Sequence, residues 1–288
     1  MIEKLECDVD AYFAADRSQQ KYDITELGDY DMTKLQYVTL SDVKFLLNLS
    51  KDGPHWKTLS VKPATYKTCN KTNLGDRHPE HFYKCIGLLP YSAEDVLNVL
   101  ADLDTRSAMD NHLYTNTELD YIHYKETKEG LSSLISLETY PLAWPIKNRD
   151  FVTAHSIVRL MDGSVVYIRK SVQHPKAPKH KGTSRGTLLC GWILRKIGEE
   201  STRYIKVFFR DMYGKSNKLS LFFDAICATH AKNVHSLLNK AVGITKANGQ
   251  LKYNGPVLKT LRDFEGVVNS PTEGPQIAIH FKIYEGDD

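Results

Sequence analysis

At 288 residues, 41% of them hydrophobic, the chain can bury one large core, or a domain of about 200 residues with attachments. Its 38 Lys and Arg against 35 Asp and Glu leave a net charge of +3, too small to imply nucleic acid as a partner. Cys7, Cys69, Cys85, Cys190 and Cys227 share no CxxC spacing, so neither a zinc site nor a disulfide frame is indicated, and no apolar run reaches the roughly eighteen residues of a membrane-crossing helix.

Residues 1–38 are polar and acidic, from Glu3 and Glu6 to Asp29 and Asp31, and read as an N-terminal extension. The opening Met1 to Asp8 has no apolar region of a secretory signal, and the cysteine usage fits a reducing, cytoplasmic setting. Thr39-Leu40-Ser41-Asp42 has capping-box spacing and opens an amphipathic run through Val43, Leu46 and Leu47 that ends near Gly53-Pro54. Strand-like segments follow at Trp56–Val61 and Phe82–Leu89. Ser92-Ala93-Glu94-Asp95 then caps a second helix carrying Val96, Val99, Leu100 and Leu103.

From Thr117 the period falls to two. Leu131–Tyr140, Phe151–Leu160, Val165–Val172, Thr187–Leu194 and Tyr204–Phe209 read as strands, with Asp162-Gly163 as a hairpin turn. Helical spacing returns from Leu219 to Val242, with Gly243 as its stop. The last stretch, 244–288, is loop-rich, with one alternating run from Ile277 to Ile283 that could add an edge strand. This order predicts an α+β fold in which one curved antiparallel sheet wraps a long C-terminal helix. Such a concavity holds either a packed core or a ligand.

Gly163 to Gly198 contains no acid but holds Arg169, Lys170, Lys176, Lys179, Lys181, Arg185, Arg195 and Lys196. This block reads as a solvated face or as an attraction to an anionic membrane surface. Catalytic patterns fail on spacing. Gly214-Lys215-Ser216 lacks the earlier glycine of a phosphate loop, since position 209 is Phe209, and Ser171 and His174 have no nucleophile elbow.

One set of motifs is more specific. Asp102-x-x-x-Arg106-x-x-Met109-Asp110, Trp144-Pro145, Asn148-Arg149-Asp150-Phe151-Val152, Ser171-Val172-x-His174-Pro175-x-x-Pro178 and Asp211-x-x-Gly214 occur in the order seen in START domains, the steroidogenic-acute-regulatory-related lipid-transfer modules. The resemblance covers roughly 39–243, read as the START lipid-binding domain, with 244–288 as a C-terminal extension. It implies the helix-grip fold enclosing an apolar cavity, and it lies nearest the phosphatidylcholine-transfer and ceramide-transfer branches.

Position by position, the resemblance implies a lipid-headgroup cluster of Arg106, Asp110, Glu138, His155 and Arg169. It places Trp144 in a loop that contacts the membrane. Around the aromatic cage of the phosphatidylcholine-transfer branch the matching positions are Ser136 and Leu189, while Phe151 keeps one ring. Arg149-Asp150 reads as a structural ion pair at a strand start. The function implied is non-enzymatic binding and intermembrane transfer of a lipid, phospholipid first and ceramide or sterol second. The protein would be a monomer at the periphery of membranes, without cofactor or metal. A lipid sensor or adaptor that does not shuttle is the alternative. An enzyme on the same fold, a cyclase or hydrolase using Glu138 with His155, is the third reading.

Overall fold

The sheet of this chain is covered on both faces, and the two coverings have different jobs. The computed structural model describes residues 37–51, 56–62, 67–73, 81–103, 105, 115–122, 131–141, 147–160, 162–179, 182–211, 220–247, 261–264 and 281–284. Strands β1 (Lys57–Lys62), β2 (Lys67–Asn73), β3 (His81–Leu89), β10 (Ser201–Asp211), β9 (Thr187–Gly198), β7 (Val165–Ser171) and β6 (Asn148–Leu160) lie side by side in that order. From β6 the sheet continues through β5 (Ser133–Tyr140) to β4 (Thr115–Ile122). These pairings are antiparallel; a short β8 (Thr183–Arg185) runs parallel to the start of β6. Near the other end of β6, Leu160 pairs with Phe281 of β12 (Phe281–Tyr284), which pairs with β11 (Leu261–Phe264).

The helices follow their sequence signals. Helix α1 (Leu40–Ser50) starts at a capping box in which Thr39 and Asp42 exchange backbone and side-chain hydrogen bonds of 3.2 and 2.6 Å. Helix α2 (Ala93–Ala101) is capped by Ser92, whose hydroxyl accepts from the Asp95 amide at 3.1 Å. It stops at Ala101, earlier than Leu103, and the Asp102 carboxylate then accepts from the Thr105 amide at 3.0 Å. Helix α3 (Ser220–Ala247) buries Val234, Leu238 and Val242, one side chain per turn on one stripe. Gly243 does not end it. A Cβ there would lie 3.0 Å from the Tyr91 hydroxyl, so the glycine lets α3 approach the segment before α2 and the helix runs on to Ala247.

Period two divides the strands between two cores. The concave face gives Tyr83, Tyr140, Phe151, Tyr167, Trp192 and Tyr204 to a cluster completed by α2 and α3. The opposite face gives Phe82, Val152, Ile168, Leu189 and Ile193 to a cluster completed by α1. Leu189, expected near the ligand, therefore packs with α1 on the outer face. Contact there is close: a Cβ at Gly191 would overlap the Leu46 side chain. The ends of α1 are held by buried lysines from the sheet. Lys170 Nζ meets Asp42 at 2.7 Å, and Lys84 Nζ donates to the Lys51 carbonyl at 3.1 Å, under the Trp56 ring.

The hairpin at Asp162-Gly163 forms as its sequence predicts, with Gly163 at a φ of 79° and Ser164 donating to the Asp162 carboxylate at 2.8 Å. Strand β2 carries no apolar alternation, and β4 only a short one at Leu119 and Tyr121, so neither is marked as a strand by its sequence. Asp150 does not pair with Arg149, because consecutive residues of a strand face opposite ways; it takes a bidentate contact from Arg185 at 3.0 Å on both oxygens.

Much of the cationic block from Gly163 to Gly198 is answered by carboxylates of other elements. Arg169 meets Glu138, Lys170 meets Asp42, Lys176 meets Asp120 and Arg185 meets Asp150. Lys179 and Lys196 remain exposed.

Candidate functional site

Three adjacent strands place polar side chains on a concave face that is largely aromatic and aliphatic. Strand β5 contributes Ser136, Glu138 and Tyr140, β6 contributes Thr153 and His155, and β7 contributes Tyr167 and Arg169, each two residues apart on one face. The register sets Ser136 opposite Thr153 and His155 opposite Arg169, so diagonal neighbours touch. All seven are buried; Glu138 has 0% exposure and Arg169 6%.

Glu138 is the hub. It is paired with Arg169, it accepts from the Tyr140 hydroxyl at 2.9 Å, and it accepts from the Thr153 hydroxyl at 3.2 Å. A carboxylate in this position without partners would cost several kcal/mol, and these donors are what make it tolerable. Burial works against the charge of Arg169, but Glu138 overrides it, helped by Tyr167 and Tyr140, and holds the guanidinium above its ordinary range. Arg169 is thus a fixed cation at any relevant pH. Its Nε is a buried donor with no acceptor among the described residues.

His155 joins a second set of contacts to the first. Its Nε2 lies 2.7 Å from both the Ser136 and Thr153 hydroxyls and its Nδ1 lies 2.8 Å from the Tyr167 hydroxyl. Glu138 is 3.9 Å from Nε2. A hydroxyl 2.7 Å from an imidazole has the spacing of a nucleophile and base. However, Glu138 approaches on the side of the hydroxyls, and the group on Nδ1 is a phenol rather than a carboxylate, so the relay of an acyl-transfer triad is not assembled.

Two cations complete the polar wall from the far side of the sheet. Lys206 Nζ lies over the rings of Trp192 and Phe208 at 4.7 and 4.8 Å, and Arg210 lies over Tyr140 at 4.8 Å. Sequence reasoning missed both, as it missed Tyr140, Thr153 and Tyr167. The signal was available: Lys206 and Arg210 interrupt an apolar strand at alternate positions, and the others lie two residues from Glu138, His155 or Arg169.

The structure therefore brings Glu138, His155 and Arg169 into one cluster. Arg106, Asp110 and Trp144 lie outside the described residues. Among the described residues no group of His, Cys, Asp or Glu could hold a metal ion, and no helix is long and apolar enough to cross a membrane.

Comparison with known proteins agrees with this architecture. A family model described as START domain matches residues 36–218. The structure resembles human STARD10 with a TM-score of 0.64 and 18% identity, over 78% of this chain and 86% of that one. It resembles human StAR-related lipid transfer protein 5 with a TM-score of 0.60 and 20% identity, over 72% and 95% of the two chains. For the lipid transfer and protein localization domain of human StarD13 the TM-score is 0.52 at 19% identity, over 72% and 98%. At these identities the likeness is one of fold. Among curated proteins none matches the chain.

Proposed function

The chain belongs to the START domain family, and from that premise we propose that it is a non-enzymatic lipid-binding protein that carries one phospholipid between membranes. The lipid lies between the concave face of the sheet and helices α2 and α3. Its polar head meets the Glu138, His155 and Arg169 cluster, with Arg106 and Asp110 beside it, and its chains take the apolar remainder. The observation that carries this reading is the donor left over at Arg169 Nε, buried and without an acceptor among the described residues. A ligand oxygen placed there supplies what the described residues do not. Burial of the acyl chains contributes about 0.8 kcal/mol per CH₂ and offsets their loss from the bilayer. The protein works as a cytoplasmic monomer that touches anionic membranes transiently, with Trp144 dipping into the interface.

Mass spectrometry of lipid carried by the purified protein tests the binding. Glu138→Ala and Arg106→Ala should each lower occupancy, whereas Trp144→Ala should slow transfer between vesicles and leave occupancy unchanged. A protein that purifies empty and takes nothing from vesicles would overturn the proposal.

A further inference from the structure

The rings of Tyr140 and Phe151 meet edge to face, with centroids 5.5 Å apart and planes at 89°. Against this corner lies the guanidinium of Arg210, its Cζ 4.8 Å from the Tyr140 centroid and 5.8 Å from that of Phe151. Two π faces at right angles around a cation form the kind of box in which proteins hold quaternary ammonium ligands. Here a side chain of the protein stands where the ligand cation would be. Arg210 reaches the corner from the end of β10, on the other side of the curled sheet from β5, and its Nη2 lies 3.5 Å from the Tyr140 hydroxyl.

We propose that Arg210 is a specificity-determining residue that excludes choline-type heads and selects phospholipids with an anionic head lacking a quaternary ammonium. The inference rests on the lipid-binding reading above and adds which head is accepted. Occupancy is the first reason: a trimethylammonium group and a guanidinium cannot share one aromatic corner. Charge is the second. A ligand cation near the rings would sit about 5 Å from a like charge at a half-buried position, where repulsion is several-fold stronger than in water, while an anionic head meets no such repulsion. Persistence of the corner is the third. Tyr140 is held by its hydrogen bond to Glu138 at 2.9 Å and Phe151 is fully buried, so the rings keep their angle when Arg210 is shortened.

The full chain, equilibrated with vesicles of equal phosphatidylcholine and phosphatidylinositol and then re-isolated, reports its preference by mass spectrometry of the bound lipid. Wild type should carry phosphatidylinositol over phosphatidylcholine by tenfold or more. Arg210→Ala should shift that ratio toward phosphatidylcholine by at least tenfold, Arg210→Lys should keep the wild-type preference, and Phe151→Leu added to Arg210→Ala should undo the gain. Arg210→Gln makes the same test if the alanine variant does not fold. A loaded wild type without preference, or a loaded Arg210 variant with an unchanged ratio, overturns this inference alone. A wild type that takes up neither lipid overturns the binding reading together with it.

Discussion

Glu138→Ala removes the hub of the buried network and leaves the Arg169 charge in a site with 6% exposure. The lost carboxylate accepts from Arg169, from Tyr140 at 2.9 Å and from Thr153 at 3.2 Å. Breaking one side of a buried ion pair costs about 3–5 kcal/mol, because the surviving charge stays desolvated without compensation. With about 4 kcal/mol lost and a urea slope of about 3 kcal/mol per M, the unfolding midpoint should fall by somewhat more than about 1 M. Removing both charges tests the cause. Glu138→Met with Arg169→Met keeps the volume and removes the cost of desolvating ions, and such replacements run from neutral to about 4 kcal/mol stabilising. The hydroxyls of Tyr140 and Thr153 lose their acceptor in that variant, at about 1–3 kcal/mol each when no other is found. Net recovery should still exceed half of the single-variant loss. Equilibrium urea unfolding of wild type, Glu138→Met, Arg169→Met and the double variant, followed by tryptophan fluorescence with Trp192 buried at 3% exposure as a reporter, yields the double-mutant cycle. A coupling energy below about 0.5 kcal/mol would refute the argument that each charge is held in place by the other. The double variant should also be poor in bound lipid while folded, which separates a network kept for its ligand from one kept for stability.

Gly191→Ala should cost about 1–3 kcal/mol in unfolding free energy, because its new Cβ overlaps the fully buried Leu46. Adding Leu46→Ala should return part of that loss, and purely additive effects would show that the contact is not the cause. Burial pushes the Asp42 carboxyl up from its ordinary 3.8, against the opposing charge and hydrogen bond of Lys170. The native state then binds that proton more tightly than the unfolded chain. Wild type should therefore lose stability relative to Asp42→Asn as pH rises from 3.8 through the raised native value, and level off beyond it. Urea midpoints over a pH series test the sign; a difference that grows in favour of wild type as pH rises excludes this account. Arg185→Gln leaves the buried Asp150 without its bidentate partner and should lower the melting temperature by several degrees, as calorimetry can measure.

Legibility in the sequence follows the physics of each element. Strands β5 to β7 are short apolar runs rich in β-branched residues, which identifies them as strands, and period two places Glu138, His155 and Arg169 on a common surface. Strand β2, Lys-Thr-Cys-Asn-Lys-Thr-Asn, has no such pattern, so it is its pairing with β1 and β3 that makes it a strand. Strand β4 lies at the edge beside β5 and has no fully buried residue, which leaves only a weak apolar signal at Leu119, Tyr121 and Ile122. Asp42 was legible as a capping residue but not as the counterion of Lys170, because that role depends on α1 lying across the outer face. Gly243 fits the pattern of a helix stop, and only its approach to Tyr91 tells the two uses apart. Arg210 was hidden for a similar reason: Tyr140 lies 70 residues earlier, and curvature of the sheet, not local spacing, unites them.

That curvature has a kinetic consequence. The seam between β3 and β10 pairs Tyr83 with Phe208, joining the earliest described strands to the last strand of the meander, and such distant pairings slow folding. During synthesis Glu138 and Arg169 emerge well before β10 and α3, so they meet first in water, where neither charge is costly. Helix α3 is the last long element to appear. Desolvation of the ion pair therefore belongs to the docking of α2 and α3 on the concave face.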